Sequence, residues 1–331
     1  MSANLNIMRQ SFFAGTPKFT QKDVPDLSGK VMIVTGSNTG VGKQVTQILY
    51  ARNAKVYMMA RSVEKNNKAR EDIQAACPTS SGELICLPLD LADIPSVQST
   101  AAEFLRREDK LHVLFNNAGV GWPELGSKSK QGYELQLGVN CLGSFALTQQ
   151  LTPTLASTAK TAPEGTVRVV WTSSTAALAT PTKNFMERIN VMEGKGTHEL
   201  YCLSKLGNYF HATEYAARHK QDGIVSISLN PGNLDSELWR SQGAFFHWFL
   251  RKTLLHPTIN GAYTTLFSGL SPQITLEKSG TFIAPWGRLW SVPHDMASGS
   301  KLETEGGTGI AKRFWEWTEA QVKLHTSSGS K

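Results

Sequence analysis

The stretch Val31-Met32-Ile33-Val34-Thr35-Gly36-Ser37-Asn38-Thr39-Gly40-Val41-Gly42 decides the fold of this chain. Its apolar and β-branched opening reads as a short buried strand. Val41, Val45, Ile48 and Leu49 recur with helical spacing and predict a helix over 40–52. Between them lie three glycines. Glycine accepts positive φ, lets backbone approach a pyrophosphate and lets the helix pack close on the strand. The helix N-terminus then offers free N–H groups and a partial positive charge to phosphate. A tight βα turn without a ligand is the alternative reading, and the placement between strand and helix argues against it.

Outward from this unit, short β-branched runs alternate with longer helical patterns. Strands are predicted at 55–60, 84–89, 111–115, 167–171 and 224–229, with helices beginning near Val63, Pro95, Tyr133 and Glu199. This alternation predicts an α/β fold: a Rossmann-type, doubly wound parallel sheet with helices on both faces. No internal repeat or long linker divides the chain. We expect a leader over 1–29, one Rossmann-fold domain over 30–325 and a flexible tail over 326–331. Six of the eight tryptophans lie beyond residue 230, so the last third differs in texture.

Composition bounds the function. The 331 residues are 40% hydrophobic and 18% charged, enough for one large core. The 34 basic against 27 acidic residues leave +7, but the basic residues are scattered, and no nucleic-acid partner is expected. Four well-separated cysteines form no C-x-x-C pair, and the eight histidines include no H-E-x-x-H, so neither a disulfide framework nor a metal site is signalled. No stretch reaches the roughly 20 apolar residues of a membrane span, and a cytoplasmic protein without stable membrane insertion is expected.

Two further elements carry chemistry. An acidic side chain at the end of the second strand would bind a ribose 2′-hydroxyl and repel a 2′-phosphate. This chain has Ala60-Arg61-Ser62 there, and a guanidinium can pair with phosphate, so NADP(H) is the expected cofactor. Farther on, Tyr201-Cys202-Leu203-Ser204-Lys205 opens a predicted helix, and four-residue spacing puts Tyr201 and Lys205 on one face. A phenol ordinarily titrates near 10, and a neighbouring ammonium favours the phenolate, which would suit general acid–base work.

The spacing G-x-x-x-G-x-G, with Asn116-Asn117-Ala118-Gly119 after the fourth strand, resembles the short-chain dehydrogenase/reductases over about 26–240. The resemblance implies cofactor contacts at Gly36, Ser37, Asn38, Thr39, Gly40, Val41 and Gly42, at Arg61, and at Asn117, Ala118 and Gly119. Asp90, with Leu91, matches the family's adenine-contacting acid, a turn cap being the alternative. Asn140 matches the asparagine that holds a relay water, Ser174 the residue that bonds the reacting oxygen, Tyr201 the acid or base, and Lys205 the residue that orients the nicotinamide ribose. Pro231-Gly232 matches the element beside the carboxamide, with Leu234 and Ser236 following it. Twenty-six residues separate Ser174 from Tyr201, longer than in compact members. In this the chain resembles the retinol-dehydrogenase-like and WW-domain-oxidoreductase-like branch. Leu229 to Leu234 resembles fungal members linked to secondary metabolism.

These features imply reversible hydride transfer between NADP(H) and a carbonyl or alcohol on a fairly apolar small molecule. A nicotinamide-binding sensor or scaffold, and a repurposed cyclase or epimerase, are the competing readings. His198, three residues before Tyr201, either faces substrate or is a surface or capping residue. Leu238, Trp239, Phe245, Phe246, Trp248 and Phe249 crowd one segment. We expect a substrate lid over 235–256, with Trp239, Phe246 and Phe249 touching substrate; a core helix or a membrane-surface helix are the alternatives. Homo-oligomers are common in the family, and the sequence selects no state.

Overall fold

The computed structural model describes residues 15–235 and 255–326. The expectations for Ser236, Trp239, Phe246, Phe249 and nearly all of the lid lie outside the described residues.

Strand β1 (Val31–Thr35) is central, pairing in parallel with β2 (Lys55–Ala60) on one side and β4 (Val113–Asn116) on the other. Beyond β2 lies β3 (Glu83–Pro88), and beyond β4 lie β5 (Arg168–Thr172) and β6 (Val225–Leu229), all parallel. Two strands the sequence reading lacked complete the sheet: β7 (Phe282–Ala284), parallel to β6, and β8 (Arg288–Trp290), antiparallel to β7. The resulting order is β3-β2-β1-β4-β5-β6-β7-β8. Its direction reverses between β1 and β4, where the loops at the strand ends diverge and open the crevice in which doubly wound sheets bind ligands.

The strands are continuously apolar because both faces are covered. Successive side chains alternate between two cores. Val31 and Ile33 of β1 and Tyr57 and Met59 of β2 join one; Met32 and Val34, with Val56 and Met58, join the other. The second face is covered by α1 (Gly40–Ala51) through Val45, Ile48 and Leu49, by α2 (Val63–Ala76) through Ala69 and Ile73, and by α8 (Thr258–Leu270) through Ala262, Leu266 and Phe267. The first face is covered by α3 (Ile94–Arg107), α4 (Ser144–Ala159) and α7 (Thr197–His219), which bury Phe104, Phe145, Leu203, Leu206 and Phe210. Each such side chain contributes about 1.5–3 kcal/mol of burial energy. Short helices α5 (Thr175–Leu178) and α6 (Phe185–Asn190) fill the long interval before Tyr201. Near the C-terminus, α9 (His294–Gly299) precedes α10 (Ile310–Thr326).

Both ends of the expected domain differ in detail from the sequence reading. Phe19, Val24 and Leu27, within the segment set apart as a leader, are buried in the second core, and Phe19 meets Phe267 edge-on at 5.9 Å. Thr326, placed in the tail, ends α10, whose Phe314 and Trp315 pack on His211 and Phe145 at 4.6 and 4.7 Å. Part of the tryptophan excess therefore serves the core. Among the described residues no helix is long and apolar enough to cross a membrane. Nor does any group of three or more His, Cys, Asp or Glu among them form a metal-binding cluster.

Candidate active site

The glycine turn after β1 is built as its sequence demands. Gly36 and Gly40 have φ of +66° and +53°, in the left-handed region where a side chain is strained. Gly42 lies within α1, and a Cβ on it would stand 2.2 Å from Gly36 O and 2.6 Å from Asn117 Nδ2. The loop after β4 is laced to this turn through Thr35, whose Oγ1 accepts from the N–H groups of Asn117 and Ala118 at 3.0 and 2.9 Å. Asn117 Nδ2 also donates to Thr35 O at 2.9 Å. The two loops at the sheet's switch point thus form one unit.

Around this unit the expected cofactor residues divide. Asn38, Thr39 and Val41 are half-buried. Ser37 is fully buried, and its hydroxyl donates to Asn66 Oδ1 at 3.1 Å, so its side chain braces the loop from within. Arg61 is exposed at the end of β2. Ser62 caps α2, its Oγ accepting from Lys65 N–H at 3.3 Å. Asp90 Oδ1 accepts from Ala92 N–H at 3.0 Å, so the turn-capping alternative is present and occupies one carboxylate oxygen. Leu91 is buried, and its carbonyl fits against Gly143, where a Cβ would come within 2.2 Å.

The end of β5 and the first turns of α7 bring together the residues expected to react. Tyr201 and Lys205 share a face as their spacing requires, with Lys205 Nζ 5.7 Å from the centre of the Tyr201 ring. Lys205 Nζ donates to Thr172 O at 3.0 Å, and Ser173 Oγ donates to Lys205 O at 2.7 Å, fixing the helix against β5. Ser174 caps α5, its Oγ accepting from Ala176 N–H at 3.2 Å, and its hydroxyl is close enough to the Tyr201 phenol to favour the phenolate. A Cβ on Gly119 would stand 3.0 Å from Asn140 Oδ1 and 3.2 Å from Lys205 Nζ, so the loop after β4 runs directly over both.

Asn140 lies in a π-helical turn, Gly138–Gly143, ahead of α4, where the sequence predicts plain helix. It is fully buried. Its Oδ1 accepts from Val120 N–H at 2.8 Å, and its Nδ2 donates to Val120 O at 3.0 Å and to Ser204 Oγ at 2.9 Å. The side chain is thus committed to holding the loop that crosses Lys205.

The charge balance differs from the sequence expectation in one respect. Burial pushes the Tyr201 phenol up to about 12, outweighing the influence of the neighbouring Ser174 hydroxyl, which pulls the other way. Burial also brings Lys205 down to about 8. The ammonium is directed at a backbone carbonyl, and desolvation rather than its field sets the phenol.

On the far side of the crevice, Gly232 has φ of +98° and passes 3.0 Å from the Trp286 ring, measured from where its Cβ would be. Asn230 Oδ1 accepts from Gly232 N–H at 3.1 Å. Leu234 packs with Trp286 and Val41, joining this turn to the glycine loop. Gly261 leaves room for the joint, since a Cβ there would meet Leu234 Cδ1 at 2.3 Å and lie 3.3 Å from Pro231 O. Leu234 also bridges to His256, and Asp235 N–H donates to His256 O at 2.9 Å, so the turn after β6 is fixed to the residue just ahead of α8.

His198 is exposed, and its Nε2 lies 3.6 Å from Cys202 Sγ, a contact along α7 rather than with Tyr201. Two site residues escaped the sequence reading. Trp122 stacks on Tyr201 at 4.8 Å between ring centres with 30° between planes, and Gln136 Oε1 accepts from Trp122 N–H at 3.1 Å.

The comparisons with known proteins agree with this geometry. The sequence model described as short chain dehydrogenase matches residues 30–245. A short-chain dehydrogenase/reductase from Phomopsis amygdali is 48% identical over 316 residues, covering 94% of this chain and 95% of that protein. The short-chain dehydrogenase/reductase bet4 from Neocamarosporium betae is 43% identical over 328 residues, covering 97% and 94%. In fold, the NADPH-bound carbonyl reductase from chicken fatty liver superposes with a TM-score of 0.60 at 19% identity, over 80% of this chain and 100% of that one. Taken with the cradle, the laced loops and the grouping of Ser174, Tyr201 and Lys205, these matches show that the chain belongs to the short-chain dehydrogenase/reductase family of oxidoreductases.

Proposed function

We propose that this oxidoreductase uses NADP(H) to interconvert a carbonyl and an alcohol on a fairly apolar small molecule, with secondary metabolites as the substrate class. The observation that carries the proposal is the grouping of Ser174, Tyr201 and Lys205 beside a glycine cradle at the switch point of the sheet.

The residues present fit a dinucleotide. Gly40 leaves nothing within 4 Å of its Cβ position, so the turn is open there to a phosphate, while Gly42 and Gly119 let the loops pack where a Cβ would clash, and exposed Arg61 offers a planar cation for a 2′-phosphate. Bound NADPH would supply the hydride. The side chains then handle the proton. With its pKa near 12, Tyr201 stands as a neutral phenol at physiological pH, ready to donate to a carbonyl oxygen as negative charge develops there. Ser174 Oγ accepts from Ala176 N–H, which leaves its own proton to steady the same oxygen. Lys205 spends one of its three N–H groups on Thr172 O and retains two for ribose hydroxyls and for returning a proton toward Tyr201. The Asn140 side chain is engaged with Val120 and Ser204, so its part in any relay falls to its backbone.

Following NADPH and NADH absorbance against a panel of apolar ketones, aldehydes and secondary alcohols tests this reading. Consumption of NADPH in stoichiometric step with alcohol formation supports it. Tight NADPH binding with no redox change on any panel member favours a sensor or scaffold, and substrate conversion at constant NADPH favours a cyclase or epimerase.

A further inference from the structure

Trp122 is held in an unfavourable way beside the reacting phenol. Its φ is +50°, in the left-handed region that bulky residues avoid, at a cost on the order of 1–3 kcal/mol. Such strain persists only where neighbours impose it. Here they are identifiable. Asn140 grips both the N–H and the carbonyl of Val120, two residues upstream. Gln136, fully buried, accepts from Trp122 N–H through Oε1 and donates through Nε2 to Thr197 O at 3.0 Å. Thr197 opens α7, and Tyr201 comes one turn later on the same helix. A single side chain therefore ties the Trp122 backbone to the helix carrying Tyr201, and the two rings are held as a stacked pair.

We propose that Trp122 is a positioning residue of the reaction, covering one face of the Tyr201 ring so that water is kept from it and the phenol oxygen is held toward Ser174. Removing the indole exposes that ring face and restores solvation to the phenolate, the form that burial penalises. Retaining an aromatic ring retains the cover. The role rests on the reading of Tyr201 as proton donor, but the stacking acts on the phenol whether or not a substrate turns over.

The test is therefore a titration without substrate. The seven tyrosines are labelled with 13C at Cζ, and the Tyr201 resonance is assigned by its loss in Tyr201→Phe. The midpoint is then compared in the parent, Trp122→Phe and Trp122→Gly, with melting temperature recorded for each. Glycine accepts the local φ without strain, so Trp122→Gly removes the ring while relieving the backbone, and Trp122→Asn, also tolerant of this region, serves if the glycine variant does not fold. In Trp122→Gly the midpoint is expected to fall by about one unit or more, a tenfold shift toward phenolate, while Trp122→Phe stays close to the parent. An unchanged Tyr201 midpoint in a folded Trp122→Gly or Trp122→Asn protein overturns the proposal. So does a Trp122→Phe midpoint that falls as far as that of Trp122→Gly. If folded Tyr201→Phe keeps turning over while Trp122→Gly still shifts the phenol, the assignment of the proton donor fails and the stacking stands.

Discussion

Replacing Gly42 by alanine asks whether the cradle is built to the tolerance its geometry implies. The new Cβ would stand 2.2 Å from Gly36 O, 2.6 Å from Asn117 Nδ2 and 2.8 Å from Gly36 C, whereas ordinary contact begins at 3.4 Å. Two of these atoms are backbone, and the third belongs to the side chain that joins the loops after β1 and β4. Relieving the clash means moving the turn away from α1, at about 1–3 kcal/mol for overpacking. Loss of the Asn117–Thr35 hydrogen bond adds about 1 kcal/mol. Alanine returns up to about 1 kcal/mol in helix propensity, so roughly 2 kcal/mol of net destabilisation is expected. The shift falls on the proposed phosphate-binding groups, and NADPH affinity is expected to drop tenfold or more, about 1.4 kcal/mol. Gly29→Ala, ahead of β1 and outside the cradle at φ +74°, is the control. Nothing lies within 4 Å of its Cβ position, so it carries only the left-handed penalty of about 1–2 kcal/mol and leaves the distance between turn and helix unchanged. Thermal unfolding and fluorescence titration with NADPH read both effects. Gly42→Ala binding NADPH as tightly as Gly29→Ala would refute the reasoning.

Charged and titratable groups give two more expected outcomes. Arg61→Asp is expected to move cofactor preference from NADPH toward NADH by tenfold or more, since a charge-assisted hydrogen bond to phosphate is worth about 1.5–3 kcal/mol; paired kcat/KM values check this, and a parent that uses both cofactors equally contradicts it. His112 is buried and accepts from Val31 N–H through Nδ1 at 3.0 Å, and burial lowers its pKa from 6.5 to about 4. The unfolded chain takes up this proton first, so the contribution is full above pH 6.5 and is lost as pH falls toward 4, by roughly 3 kcal/mol. Buried His211, lowered to about 3, acts with the same sign. Urea midpoints measured across that interval should fall with acidification in the parent and less steeply in His112→Gln; parallel slopes would exclude His112 as a contributor.

Local pattern accounts for the part of the fold that is legible in the sequence. The strand Val31–Thr35, the glycine turn and α1 announce themselves through apolar runs and residues with one conformational use, and the strand 55–60 is legible to its last residue. The face shared by Tyr201 and Lys205 comes from helical spacing alone. The remainder depends on tertiary surroundings. β7 and β8 have three residues each, too few for a period, and exist because β6 leaves an edge to extend. The π-helical turn at Asn140 has no sequence rhythm, and the close seat of Gly143 on Leu91 O shows itself only in space. Ser37 sits in the glycine turn, where the resemblance implies a cofactor contact, yet turns inward because Asn66, from α2, meets it there. Trp122 lies three residues beyond Gly119 with nothing local to announce its left-handed backbone, which distant Gln136 and Asn140 impose. The direction of the Tyr201 shift is hidden for the same reason, because desolvation is a property of everything packed around the ring.

The central claim is that Tyr201 carries the proton in a hydride-transfer reaction, and the direct test is Tyr201→Phe. The substitution removes one hydroxyl beside Ser174 and almost no packing surface. The ring, its stack on Trp122 and its distance from Lys205 are retained. NADPH affinity is therefore expected to stay within a few-fold of the parent, and NADPH consumption with a carbonyl substrate accepted by the parent is expected to fall below detection. A folded Tyr201→Phe protein that binds NADPH normally and still reduces that substrate at a substantial fraction of the parent rate would contradict the account.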